Sequence, residues 1–181
     1  MKVNDNFLPE DLFQELQDYC NQKEFQEIKV GDKSFLFLPT PEVFIPLLQI
    51  PEHQIILSFI RKAHREFDTD IRIHSDGIIN QEQTELARVV YINENEGVTT
   101  NGTAFWKHHF YGSELPKEST AEEFNRLLLE DSNDLSKWKL IRFVQSQPNR
   151  CLTYKANQFH SKYPNKITEG ERIVMVTFYK K

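Results

Sequence analysis

From residue 69 onward the chain is a succession of short β-prone runs cut by turn residues, and this pattern limits its fold more than any other feature. Strands are expected over residues 71–74, 88–93, 102–106, 140–144, 150–154 and 172–179. Turn chemistry separates them at Ser75-Asp76-Gly77, Asn101-Gly102, Gln147-Pro148-Asn149 and Glu169-Gly170. Gly, Asn and Asp are the residues that tolerate the left-handed backbone a tight turn needs. Helical segments do not alternate with these strands, so a βαβ fold is excluded and a β-sandwich or barrel is predicted. One helical insertion interrupts the series. Ser119 and Thr120 are followed by Glu122 and Glu123, overlapping capping boxes ahead of the apolar Phe124, Leu127 and Leu128.

The first third of the chain reads differently. Leu8, Leu12, Leu16 and Tyr19 recur at helical spacing, which predicts an amphipathic helix over 9–25 with Pro9 at its first position. Residues 34–38 suggest a short strand ending at Pro39. A second helix is expected over 51–67, opened by Pro51, with Ile55, Ile56, Phe59, Ile60 and Ala63 on one face. At 181 residues the chain suits a single domain, the helices of 9–67 packing on a barrel of 69–180. With 39% hydrophobic and 12% aromatic residues it has enough apolar surface to bury a core.

The formal charge of -5 is spread without any basic stripe, which argues against nucleic acid as a partner. No apolar run approaches a membrane span, and residues 1–6 lack the apolar stretch of a signal peptide, so a cytoplasmic protein is expected. Cys20 and Cys151 have no close-spaced partner, so both are expected reduced and buried, with no cysteine metal site.

The chemistry concentrates at His74-Ser75-Asp76, a histidine closing a predicted strand with a carboxylate two residues on, in the turn. Such a pair can reach one metal ion from a barrel rim, and His160, on a distant segment, is the candidate for a third ligand. Two imidazoles and a carboxylate on one face, with the opposite positions open, form the ligand set associated with non-haem iron(II) oxygenases. Alternation along Arg172-Ile173-Val174-Met175-Val176 puts Arg172 on one face with Val174 and Val176, and a buried arginine calls for an anionic partner.

Taken together, these pieces resemble the 2-oxoglutarate- and Fe(II)-dependent oxygenases, in particular their prolyl-hydroxylase-like branch. The resemblance covers roughly residues 71–179: His74-Ser75-Asp76, Val90-Tyr91-Ile92-Asn93, Asn101-Gly102-Thr103-Ala104-Phe105, Asn149-Arg150 through His160, and Arg172 twelve residues further on. It implies a mainly β fold with flanking helices, the double-stranded β-helix (jelly-roll, cupin-like) barrel. It also implies Fe(II) held by His74, Asp76 and His160, with 2-oxoglutarate and O2 consumed and ascorbate as a supporting reductant. Arg172 would take the far carboxylate of 2-oxoglutarate, and Tyr91 would add its hydroxyl. Some family members carry a serine two residues after that arginine where this chain has Val174.

Two other readings share the architecture: a cupin-type metal-dependent enzyme, whose sites usually carry His-x-His rather than His-x-Asp, and a non-catalytic binding barrel. The expected substrate is a small molecule or a peptide, with specificity set by the loops 78–85, 94–101 and 107–118. The acidic insertion carrying Glu122, Glu123, Glu130 and Asp131 favours a neutral or basic substrate, with proline the first residue to test. Oligomeric state is left open. His108 and His109 fall in an expected loop, where an ordinary structural role and a place on the substrate side are both open, and His53 and His64 are read as surface residues of the second helix.

Overall fold

Strands account for more of the chain than helices do. A computed structural model describes residues 1–30, 33–67, 72–93, 102–116, 118–163 and 167–181. The first half runs β1 (Lys2–Asn4), α1 (Glu10–Gln22), β2 (Gln26–Val30), β3 (Lys33–Pro39), α2 (Ile45–Leu48), β4 (Gln54–His64), β5 (Ile78–Ile79), β6 (Glu82–Gln83) and β7 (Leu86–Tyr91). The second half runs β8 (Gly102–His108), α3 (Ala121–Glu130), β9 (Trp138–Gln145), β10 (Cys151–Lys155), β11 (His160–Tyr163) and β12 (Glu171–Lys180). Seven strands form one sheet in the order β1-β10-β7-β12-β4-β3-β2, three form a second in the order β11-β8-β9, and β5 and β6 make a separate hairpin. The pairings are antiparallel, as a jelly roll requires.

Side-chain alternation gives each sheet two faces. Val89, Tyr91, Leu152, Tyr154, Val174 and Phe178 of the large sheet meet Phe105 and Val144 of the small one, and this shared core is the barrel interior. On the opposite face of the large sheet, Ile60, Val90, Ile173 and Met175 are covered by Phe13, Leu16 and Cys20 of α1 and by Leu48 of α2. The outer face of the small sheet, with Ala104, Trp106 and Trp138, is covered by Phe124 and Leu127 of α3 and by Phe159. Truncating a fully buried anchor such as Leu16 typically costs about 2–5 kcal/mol.

The capping box forms as the sequence predicts. Thr120 Oγ1 accepts the Glu123 N–H at 3.1 Å, and the Glu123 carboxylate accepts the Thr120 N–H at 2.9 Å. Helix α1 ends at Gln22 rather than residue 25, and Phe25 instead receives the Lys62 ammonium over its ring.

The second expected helix is a strand. Residues of the 51–67 segment form the eleven-residue β4, between β12 and β3. Its apolar residues had matched a helical face because a strand covered on both sides reads as a near-continuous apolar run, which loses the alternation that distinguishes the two. Pairing with β12 decides the outcome: Val174 lies opposite Arg61 and Val176 opposite Phe59. Phe59 and Arg61 therefore point into the barrel.

The expected strand at 71–74 also fails to form in the described part. Residue 71 lies outside the described residues, Arg72 has φ 49°, and only His74 pairs, in an isolated bridge to His160. A left-handed residue reverses the side-chain alternation and ends a strand. The other expected strands appear with shifted ends, while β1, β2 and β11 add pairings that the sequence pattern does not reveal. Gly102 is required where it stands, because a Cβ there would lie 2.1 Å from the Val144 carbonyl oxygen. Its predicted turn partner Asn101 lies outside the described residues.

Candidate metal centre

Two hydrogen bonds bind the halves of the site together: the His74 N–H donates to the His160 carbonyl and the His160 N–H to the His74 carbonyl, both at 2.9 Å. The Asp76 N–H donates to the Ala156 carbonyl at 2.8 Å, and Ser75 Oγ both donates to that carbonyl and accepts the Gly77 N–H. The turn is thus fixed to the chain just ahead of β11, and residues 84 positions apart present their side chains to one point. One ligand atom from each of His74, Asp76 and His160 lies within 4.8 Å of the others.

Both imidazoles are oriented by backbone. His74 Nδ1 lies 2.8 Å from the Arg72 carbonyl and His160 Nδ1 lies 2.9 Å from the Gln158 carbonyl. A carbonyl can only accept, so each Nδ1 carries the proton and each Nε2 faces the site. His74 Nε2 stands 3.4 Å from Asp76 Oδ1, and His160 Nε2 stands 3.1 Å from Asp76 Oδ2. Burial and the neighbouring His160 hold His74 below the usual imidazole range, keeping it neutral. Burial pushes the Asp76 carboxyl up, but the two histidines outweigh it and hold the group well below the usual carboxylate range. Neutral imidazole nitrogens converging on an ionised carboxylate repel one another without a cation among them, so the donor set fits a divalent metal with two nitrogen ligands and one oxygen ligand.

Tyr154, which the sequence reading passed over, donates to Asp76 Oδ2 at 3.3 Å, with its oxygen 3.0 Å from His160 Nε2. Burial and the Asp76 charge push its phenol well above the ordinary value, so it remains a neutral donor.

A cavity of about 90 Å³ is lined by all three ligands together with Val174, Val176, Phe59, Phe178 and Arg172. Arg172 is 8% exposed, in line with its expected inward face. Its Nη2 donates to Thr103 Oγ1 at 3.4 Å, and its guanidinium lies over the Tyr91 ring. Tyr91 is fully buried and gives its hydroxyl to Thr103 at 2.7 Å, so Thr103 rather than Tyr91 presents oxygen to the cavity. Burial raises the Tyr91 phenol, against the opposing charge of Arg172.

His108 is buried at the end of β8, where Nε2 donates to Asp131, Nδ1 accepts the N–H groups of Phe110 and Tyr111, and the ring packs on Trp138. It is structural rather than substrate-side. None of Glu122, Glu123, Glu130 and Asp131 lines the cavity, which is instead walled by the cations Arg61, Arg72, Lys162 and Arg172, so the insertion gives no preference for a basic substrate. The loop 94–101 lies outside the described residues. Cys20 and Cys151 are free and buried, as expected. Among the described residues no helix is long and apolar enough to cross a membrane.

No protein-family model matches the sequence, and no curated protein matches it. Solved structures do match its fold. A Pseudomonas putida prolyl-4-hydroxylase superposes with a TM-score of 0.60 at 12% identity, over 99% of this chain and 91% of that one. SnoK, a non-haem α-ketoglutarate-dependent carbocyclase of nogalamycin biosynthesis, gives 0.63 at 12% identity, over 98% of this chain and 78% of its own. HygX from Streptomyces hygroscopicus, solved with nickel, 2-oxoglutarate and hygromycin B, gives 0.55 at 13% identity, over 98% and 81%. The chain shares the jelly-roll fold of these proteins.

Proposed function

We propose that this chain is a 2-oxoglutarate- and Fe(II)-dependent oxygenase that hydroxylates an amino-acid side chain, free or within a protein. The observation that carries the reading is the convergence of His74, Asp76 and His160 on a cavity whose lining also includes a buried arginine, Arg172. Solved proteins of the same fold are described as binding iron, nickel and 2-oxoglutarate, which agrees with it.

When bound, Fe(II) with 2-oxoglutarate and O2 supplies an oxidative decarboxylation coupled to oxidation of an unactivated C–H bond. This chain's own residues do the rest. The carbonyls of Arg72 and Gln158 fix both imidazole tautomers, so the ligand nitrogens need no reorganisation to meet a cation. Arg172 offers a planar charged donor to the far carboxylate of 2-oxoglutarate, with Thr103 beside it as a hydroxyl and Tyr91 holding that hydroxyl in place. Val174, Val176, Phe59 and Phe178 give the cavity an apolar wall that excludes water. Tyr154 keeps a neutral O–H donor beside Asp76.

Metal analysis and calorimetry test the reading. The purified chain should bind one Fe(II) or Mn(II), and His74→Ala or Asp76→Ala should abolish tight binding. Arg172→Ala should retain metal and lose about 30-fold or more in 2-oxoglutarate affinity, the value of a charged two-point contact of roughly 2–3 kcal/mol. Unchanged metal content in both ligand variants would remove the proposed site. Hydroxylation itself is read as a mass gain of one oxygen on free amino acids or lysate proteins supplied with Fe(II), 2-oxoglutarate and ascorbate, proline first. Succinate formed without that gain would point to another oxidation.

A further inference from the structure

A second cavity, of about 330 Å³ against about 90 Å³ for the metal cavity, adjoins the metal-bearing turn, and among the described residues the two share no lining residue. The chain itself divides them. Asp76 and Tyr154 line the metal cavity, while the residues that follow them, Gly77 and Lys155, line the second. Both of its walls are built by backbone pairing. β5 and β6 join through Asn80 and Gln81, at φ 51° and 66°, the two left-handed residues of a tight hairpin turn. The hairpin is closed at its base by the Thr84 N–H on the Gly77 carbonyl at 2.9 Å, and Lys180 holds Glu82 on its outer strand. In the other wall the Leu115 N–H donates to the Asn157 carbonyl at 2.8 Å, and Asn157 Nδ2 donates to the Leu115 carbonyl at 3.3 Å.

The chemistry of the lining narrows what can enter. Ile78, Leu86, Leu115 and Pro116 supply an aliphatic surface. The charged groups are paired with protein: Glu114 takes the Lys155 ammonium at 3.4 Å and the Asn157 amide at 3.2 Å, and Glu85 lies 3.7 Å from His53 Nε2. An ionic ligand would have to break these pairs or stay unpaired. The polar capacity that is left is neutral. Thr84 is 6% exposed and lines the cavity, its N–H is bonded, yet its Oγ1 has no hydrogen-bond partner among the described residues. A buried hydroxyl in that condition is rare enough in folded proteins to require a cause. Asn157 spends its Nδ2 on Glu114 and Leu115, so what it offers a ligand is Oδ1, which can only accept.

We propose that this second cavity is a binding site for an uncharged amide that carries an aliphatic side chain, in effect one amino-acid unit capped at both ends. Its side chain rests on Ile78, Leu86, Leu115 and Pro116, and its amide groups complete the Thr84 hydroxyl and Asn157 Oδ1. The volume agrees, since small-molecule sites run about 300–1,000 Å³. No metal takes part, so the site stands apart from the oxygenase reading.

The test uses the full chain, isotope-labelled and treated with chelator, titrated with N-acetyl-L-leucinamide and followed by two-dimensional amide NMR. The signals of Gly77, Thr84 and Leu115 should shift saturably. N-acetyl-L-leucine, the corresponding acid, should bind more weakly, because its carboxylate would lose water without gaining a cation. Thr84→Val exchanges the hydroxyl for a methyl group of the same shape. It should weaken the amide about fivefold, the worth of one neutral hydrogen bond, and should unfold no earlier than the wild type, since no bond within the fold is lost. A capped tripeptide, acetyl-glycyl-L-leucyl-glycinamide, separates two sources of the same chemistry: tighter binding than the single unit assigns the site to a residue within a peptide, and equal or weaker binding assigns it to a free amide. Absence of any saturable shift in the wild type overturns the proposal, as do shifts confined to metal-cavity residues such as Thr103 and Val174. A lower Tm in Thr84→Val with unchanged amide affinity overturns it too, by giving the hydroxyl to the fold. Because the titration is run without metal, none of these results depends on whether the chain is an oxygenase.

Discussion

Replacing Thr103 by valine tests how the Arg172 side chain and its surroundings are held. The two side chains have nearly the same shape, so the change removes a hydroxyl without opening a void. Thr103 is 2% exposed and Tyr91 is fully buried, so the Tyr91 O–H that now donates at 2.7 Å would be left without an acceptor and without water. A buried donor stranded in this way costs about 1–3 kcal/mol. Tyr91→Phe removes the donor itself, leaves Thr103 bonded to Arg172, and should cost about 1 kcal/mol. The double variant strands no phenol. Its loss should therefore fall to about 1 kcal/mol, the value of Tyr91→Phe alone, instead of the sum of the two. For a chain of this size the roughly 2 kcal/mol of Thr103→Val alone is about 4–8 °C in Tm. Urea unfolding of chelator-treated protein reads the three values without a contribution from bound metal. Strict additivity would refute the coupling of Tyr91 and Thr103 and leave the buried phenol to some other acceptor.

Three further outcomes follow from the same contacts. Metal-free protein should lose stability in acid in two stages: the unfolded chain protonates His74 below its ordinary 6.5 while the folded site resists, and below 3.8 the same holds for Asp76. Thermal unfolding across pH reads both stages, and Asp76→Asn should remove the lower one. Gly102→Ala sets a methyl group against the Val144 carbonyl and should cost about 3 kcal/mol or prevent folding, as measured by circular dichroism. His108→Ala strands Asp131 and two backbone N–H groups and should cost about 2–4 kcal/mol while leaving metal content unchanged.

What could be read from the sequence followed residue chemistry more than local geometry. That His74, Asp76 and His160 could share a site was legible because few side-chain types bind a divalent metal, although the strand expected ahead of His74 does not form. The inward face of Arg172 followed from two-residue alternation on β12, a strand opened by the Glu169-Gly170 turn. Arg61 was hidden, since residues 51–67 fit a helical face as well as a two-sided strand and a helix would have left Arg61 outside the barrel. Thr103 and Tyr154 carry no local signature: their roles exist only once β8 and β10 bring them against Tyr91 and Asp76. His108 shows the converse, a chemically suggestive residue consumed by packing against Trp138 and Asp131. The acidic insertion misled because α3 places its charges away from the cavity it was expected to influence.

The large sheet has its latest strand in its middle. β12 follows the other six described strands of this sheet in chain order, yet it is the seam between β7 and β4, pairing with both along most of its ten residues. During synthesis the strands on either side emerge first and face each other across a gap that only β12 can fill. Until it arrives, β7 and β4 are sticky open edges, the condition in which nascent β proteins cross-pair with neighbours and call on chaperones. A ribosome that stalls ahead of residue 171 would release two half-sheets with no Arg172, so completion of the fold and readiness of the cavity arrive together, in one late step.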